Sequence, residues 1–246
     1  MKKSWKITVV FVIFIGLLFN VITINHNKEV NKIKTDKKVV MLTFDDGPSS
    51  YADNKIMDIL DHFDVKVTFF MTGINLQKYK SDIGIKKVVD RMIKSGHSLG
   101  NHSYFHNKYI NYQKKLINEL DGVNLMIQNI YLENGIKIDK KDIPIRMPYL
   151  QYYKGLGYVI QRIKNPFWIR GYLGTDYLEQ VTGKDKILNQ YIKHLKKGQI
   201  FVAHSKDYAK VWLPELIQNL KAKKYNFANF TQNERFHYSN YGKLVF

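Results

Sequence analysis

The chain has 246 residues, 45% of them apolar and 14% aromatic, enough to bury one sizeable core and too hydrophobic for a disordered chain. It contains no cysteine, which excludes disulfides and thiolate ligands and leaves histidine and carboxylate to hold any metal. The formal charge of +18 is dispersed: eight lysines against Glu29 and Asp36 within residues 1–38 account for six, and the rest are scattered lysines without an arginine-rich stripe, so no nucleic-acid partner is expected.

In chain order, Lys2, Lys3 and Lys6 precede an apolar run from Ile7 to Ile24, interrupted only by Thr8, Gly16, Asn20 and Thr23. Eighteen residues at about 1.5 Å rise span about 27 Å, close to the hydrocarbon thickness of a bilayer. Residues 1–24 are therefore expected to be an uncleaved signal anchor with its N-terminus cytoplasmic, by the positive-inside rule. Residues 25–38 are polar and read as a tether, and the folded domain is expected over 39–246, outside the cytoplasm at the cell membrane.

From Val39 short apolar runs alternate with helix-like segments, the pattern of a mostly parallel α/β fold. Strands are predicted at Val39–Phe44, Lys66–Met71, His97–Asn101, Ile143–Arg146, Phe167–Leu173, Gln199–Ala203 and Asn226–Phe230. Helices are predicted at Asp53–His62, Ile83–Lys94, Tyr112–Leu132, Gly155–Arg162, Lys184–Leu195 and Trp212–Lys223. In the second helix Ile85, Val88, Val89 and Met92 recur at helical spacing, and Gly96 and Gly198 stand where helices stop. Seven strands in alternation with helices predict a barrel, complete or incomplete, rather than an open doubly wound sheet. No glycine-rich phosphate loop follows the first strand, which weighs against nucleotide binding.

In such a barrel, sites form where strands end at the C-terminal face. Asp45 and Asp46 end the first strand; two adjacent carboxylates repel unless a cation lies beside them, although Asp46-Gly47-Pro48 also reads as an ordinary turn. His102 and His106, four apart after the third strand, would face one way on a helical turn, a spacing used for two imidazoles on one Zn²⁺, and Asp46 could complete the set. His97, earlier in that strand, reads as a packing residue. Arg146 ends the fourth strand and could hold Asp45 ionised; the Pro148-Tyr149 turn offers backbone N–H groups to an oxyanion. His204, just past the sixth strand, could protonate a leaving amine.

These residues resemble the motifs of the polysaccharide deacetylase family, the NodB-homology carbohydrate esterases of family 4. Thr43-Phe44-Asp45-Asp46, His102-Ser103-Tyr104-Phe105-His106 and Arg146-Met147-Pro148-Tyr149 match its three leading motifs. The resemblance implies Asp46, His102 and His106 as ligands of a divalent metal (Zn²⁺ first, with Co²⁺, Ni²⁺ or Mn²⁺ as alternatives), Asp45 as general base, Arg146 as its partner, and Tyr149 as oxyanion donor. It implies His204 as general acid, Asp176 as the residue tuning it, and Tyr177 and Val202 as walls of the acetyl pocket. Four positions depart from the family pattern: Tyr177 replaces Trp, Val202 Leu, Asn107 Pro and Ser205 Asp. The implied fold is an α/β distorted (β/α)7 barrel, NodB-like, and the implied activity is removal of N-acetyl groups from a cell-surface N-acetylated glycan. Two rivals are a glycosidase using the Asp45–Asp46 pair and a membrane-tethered, non-catalytic glycan-binding module.

Overall fold

The computed structural model describes residues 29–152, 155–231 and 236–245. The signal anchor expected over residues 1–24 lies outside the described residues. Among those described, no helix is long and apolar enough to cross a membrane.

The elements, in order, are β1 (Glu29–Val30), β2 (Lys32–Lys34), β3 (Val39–Gly47), α1 (Ala52–Phe63), β4 (Thr68–Met71), α2 (Ile83–Lys94), β5 (Ser98–Asn101), α3 (Gln113–Glu133), α4 (Leu156–Ile163), β6 (Trp168–Ile169), β7 (Tyr172–Leu173), α5 (Lys184–Lys193), β8 (Gln199–His204), α6 (Ala209–Ala222), β9 (Asn226–Phe227) and β10 (Lys243–Val245). The six predicted helices are present within a few residues of their expected bounds. Helix α2 spans the predicted range; the Asp82 carboxylate caps its start by accepting from the N–H groups of Gly84 and Ile85, and Ile85, Val88, Val89 and Met92 face the core.

Strands β8, β3, β4 and β5 lie side by side and parallel. The curve continues through single parallel bridges from Asn101 to Ile145 and from Ile145 to Trp168. It closes because the strand predicted at Phe167–Leu173 is broken in two: β6 meets the Ile145 segment, while β7 turns away to pair with β8. Gly171 makes that corner at φ +136°, and a Cβ there would lie 2.7 Å from the carbonyl oxygen of Ile200. A side chain is excluded on both grounds.

The seven-stave barrel needs correction at two places. The fourth expected strand, Ile143–Arg146, reduces to the bridge at Ile145, and the seventh is only Asn226–Phe227, beside the start of β3. The tether expectation also changes. Residues 29–34 join the sheet, β1 along β6 and β2 antiparallel to β8 and β10, and Val30 and Ile33 are fully buried. The folded unit therefore begins by Glu29.

Strand periodicity sorts the apolar residues into two layers. Val40, Leu42 and Phe44 of β3, with Phe69, Met71, Phe201 and Ala203, pack under α1, α2, α5 and α6. Val39 and Met41 point the other way, into an interior cluster with Phe70, Ile169, Ile200 and Phe230. Thr43 and Asp45 continue that inward-facing series to the C-terminal rim.

Candidate active site

Asp45 pairs in register with His204 across β3 and β8, and Thr43 with Val202. Alternation alone would send Asp46 to the opposite face from Asp45. Instead the register slips between Asp45 and Gly47, and Asp46 takes φ +72°. This bulge turns the Asp46 carboxylate onto the rim. The Asn75 side-chain amide holds the Asp46 carbonyl at 3.0 Å.

Arg146 is wholly buried and satisfies four acceptors. It donates to Asp45 Oδ1 at 2.7 Å, Thr43 Oγ1 at 2.6 Å, and the carbonyls of Ile169 and Arg170 at 3.3 and 3.0 Å. Its guanidinium lies 4.1 Å from the centre of the Phe70 ring. Burial pushes the Asp45 carboxyl upward, but Arg146, His102 and His204 more than offset it and hold the group below the usual carboxylate range. Asp45 is thus kept ionised.

His102 follows β5, and its Nδ1 bonds the Arg146 carbonyl at 2.9 Å. With that nitrogen donating, Nε2 carries the lone pair and faces Asp46 Oδ1 at 3.6 Å. His106 Nε2 lies 3.3 Å from the same oxygen. The two histidines do not share a helical turn, contrary to the spacing argument. They lie on a loop whose Ser103 and His106 have positive φ, braced by the Asn101 side chain accepting the Ser103 N–H and by Glu119 accepting the N–H groups of Tyr104 and Phe105.

The ligand atoms of Asp46, His102 and His106 all lie within 4.8 Å of one another. Asp46 Oδ1 is buried without a hydrogen-bond partner among the described residues. Ligands about 2.1 Å from a tetrahedral ion stand about 3.4 Å apart, so this donor set, with its orphaned oxygen, fits a divalent cation.

On the opposite side, Asp176 Oδ2 accepts from the His204 backbone N–H at 2.8 Å and lies 3.1 Å from its Nδ1, while the single Tyr191 hydroxyl proton is shared between Asp176 Oδ1 at 3.2 Å and the Val202 carbonyl at 2.9 Å. Burial disfavours the His204 imidazolium, but the Asp176 hydrogen bond and charge, with Asp45 and Asp46, leave its pKa raised. Tyr177 is partly exposed, its ring centre 6.0 Å from that of His204. Val202 is buried on β8 and its carbonyl accepts from Tyr191. Tyr149 adopts φ 60° in the turn after Pro148, its ring 4.5 Å from that of His106. His97 is a buried packing residue that accepts the Val67 N–H at 3.1 Å. The structure thus brings all ten predicted site residues to one rim.

Sequence reasoning missed the supports. Thr43 bridges Arg146 to the Phe201 carbonyl, Tyr191 orients Asp176, and Glu119 holds the histidine loop. Thr43 was visible as the inward neighbour of Asp45 by strand period; Tyr191 and Glu119 sit on helices with no local signal. Asp53, on α1, is also wholly buried; it accepts the Ser49 N–H at 2.8 Å, and burial pushes its carboxyl up to about 6.

A parallel α/β barrel carrying a His₂Asp cluster beside an ionised Asp and an Asp-braced His defines a hydrolase-type site. The family model described as Polysaccharide deacetylase matches residues 32–166. The chain is 30% identical over 201 residues to a bifunctional xylanase/deacetylase of Pseudobutyrivibrio xylanivorans, covering 80% of this chain but 30% of that protein. It is 30% identical over 200 residues to the peptidoglycan-N-acetylmuramic acid deacetylase PdaA of Bacillus subtilis, covering 78% of this chain and 70% of that one. Among solved structures, the Xyl-CE4 domain of a multidomain xylanase from the hindgut metagenome of Trinervitermes trinervoides superposes with TM-score 0.69 at 29% identity, covering 83% of this chain and 92% of that one. The chain belongs to the polysaccharide deacetylase family.

Proposed function

We propose that the protein is a polysaccharide N-deacetylase that hydrolyses the acetamide of N-acetylhexosamine units in a cell-surface glycan. The observation carrying this reading is the placement of three candidate ligands, Asp46, His102 and His106, beside the Asp45–Arg146 pair and across the β3–β8 register from His204. A divalent cation held by those ligands would supply Lewis acidity and lower the pKa of water from about 15.7 toward about 7.

Asp45, held ionised by Arg146, accepts the proton of the attacking water. The Tyr149 backbone N–H, in the turn packed on His106, donates to the developing oxyanion. His204, whose pKa the Asp176 hydrogen bond and charge raise, donates its proton to the departing sugar nitrogen, and the products are acetate and a free amine. Each proton-transfer group contributes about 10²–10⁴-fold. Val202 and Tyr177 bound the acetyl methyl. We place the protein at the membrane through residues 1–24, with the folded unit outside the cytoplasm, on the length and flanking lysines of the apolar run.

Incubating the full chain with an N-acetylglucosamine oligomer and measuring acetate tests the reading. Release abolished by chelation, restored by Zn²⁺ or Co²⁺, and lost in Asp45→Asn supports it. Release indifferent to chelator, or shortened oligomers, would overturn it.

A further inference from the structure

Beside the candidate metal ligands, Asn107, Lys108, Tyr109, Tyr112 and Lys115 line a cleft of about 170 Å³. It begins one residue past His106. Lys108 Nζ lies 5.6 Å from the centre of the Tyr149 ring, and Tyr149 in turn packs on His106, so this ammonium stands at the edge of the reaction centre. Lys115 Nζ lies 5.6 Å from the Phe105 ring on the other flank of the histidine loop.

Neither ammonium forms an ion pair among the described residues, whereas Lys55, Lys80, Lys86, Lys184 and Lys210 each have a carboxylate. The neighbouring acid, Glu119, is buried and already engaged by two backbone N–H groups and the Tyr109 hydroxyl. The cleft therefore presents two ammonium groups that have no ion-pair partner among the described residues, Glu119 standing one helical turn from Lys115 without pairing with it, beside the candidate site.

We propose that this cleft is a subsite for an anionic substituent of the glycan, a carboxylate or a phosphate ester, and that Lys108 and Lys115 set substrate preference. The proposal rests on the deacetylase reading. Exposed charge pairs contribute modestly, so two lysines set a preference of about tenfold, about 1.4 kcal/mol.

Three substrates test it: a neutral N-acetylglucosamine oligomer, a glycan of alternating N-acetylglucosamine and lactyl-ether (carboxylate) sugars, and a 6-phosphorylated N-acetylglucosamine oligomer. With the full chain at low salt, kcat/KM for at least one anionic glycan should exceed that for the neutral oligomer by about tenfold, and the lead should shrink as salt is added. The double variant Lys108→Gln with Lys115→Gln should lose that lead and leave the neutral oligomer within about twofold. Whichever anionic glycan leads identifies the source of the charge. Equal kcat/KM for all three in the wild type, or an equal fall for all three in the variant, would overturn the subsite.

Calorimetric titration of the same glycans into chelator-treated protein reads the cleft without catalysis. Charge-dependent binding lost in the double variant supports the subsite even if no glycan releases acetate, an outcome that would overturn only the activity. Binding that ignores charge would overturn the subsite alone.

Discussion

At the scale of single residues, the adjacent carboxylates of Asp45 and Asp46 are tolerated because each is answered by a different partner. Asp45 is buried against Arg146, and Asp46 presents an oxygen to two imidazoles. Replacing Arg146 with Met should destabilise the fold by about 3–5 kcal/mol, because it strands a buried carboxylate. Urea unfolding measures this, and adding Asp45→Asn should recover part of the loss. In the proposed mechanism His204 must be protonated to act as the acid. Its pKa is raised, so activity should fall as pH climbs through a value above 6.5. In Asp176→Asn the hydrogen bond to a charged oxygen is gone and burial dominates. The alkaline limb of the kcat/KM profile should move to lower pH, with activity at pH 7 down on the order of tenfold. An unmoved limb would show that another group sets it.

At the scale of elements, the barrel's departures from regularity are what build the site. The bulge in β3 re-aims Asp46, and the positive-φ loop after β5 gathers both histidines. The β6–β7 corner closes the sheet on β8. Gly171→Ala puts a Cβ 2.7 Å from the Ile200 carbonyl oxygen at φ +136°. A cost of about 1–3 kcal/mol in urea unfolding is expected, with loss of activity tracking loss of folded protein. The helices were legible because an apolar stripe recurs within one segment, as in α2. β1, β2 and β10 were not, because two or three residues carry no period, and each pairs across more than a hundred residues of chain, β1 with β6, β2 with β8 and β10 with β2. The spacing of His102 and His106 showed that the two could meet. It did not show how, since a helical turn and a left-handed loop can both bring residues four apart together.

At the scale of the whole molecule, strand ends far apart in the chain converge on one rim, and a bound cation would tie three of their side chains together. Zn²⁺ at about 100 times its dissociation constant should stabilise the folded chain by about 2.7 kcal/mol, raising Tm by about 5–10 °C. Asp46→Ala should abolish that shift in a thermal melt without chelator-sensitive residue. The dispersed positive charge has a structural part at the opposite end of the barrel: Lys94 and Lys221 sit in the last turns of α2 and α6, where they offset the helix dipoles.

The alternation of strands and helices, the residue types at each strand end and the motifs that mark them could all be read along the chain, because period and local chemistry are written in neighbouring residues. That Arg146 donates to Asp45, Thr43 and two carbonyls, that Asp176 and Tyr191 brace His204, and that residues 29–34 belong to the sheet follow from folding alone. Those contacts join segments from 15 residues apart (Tyr191 and Asp176) to 101 (Arg146 and Asp45) and, in the sheet, further still, and the burial that strengthens such pairs exists only once the chain has closed on itself.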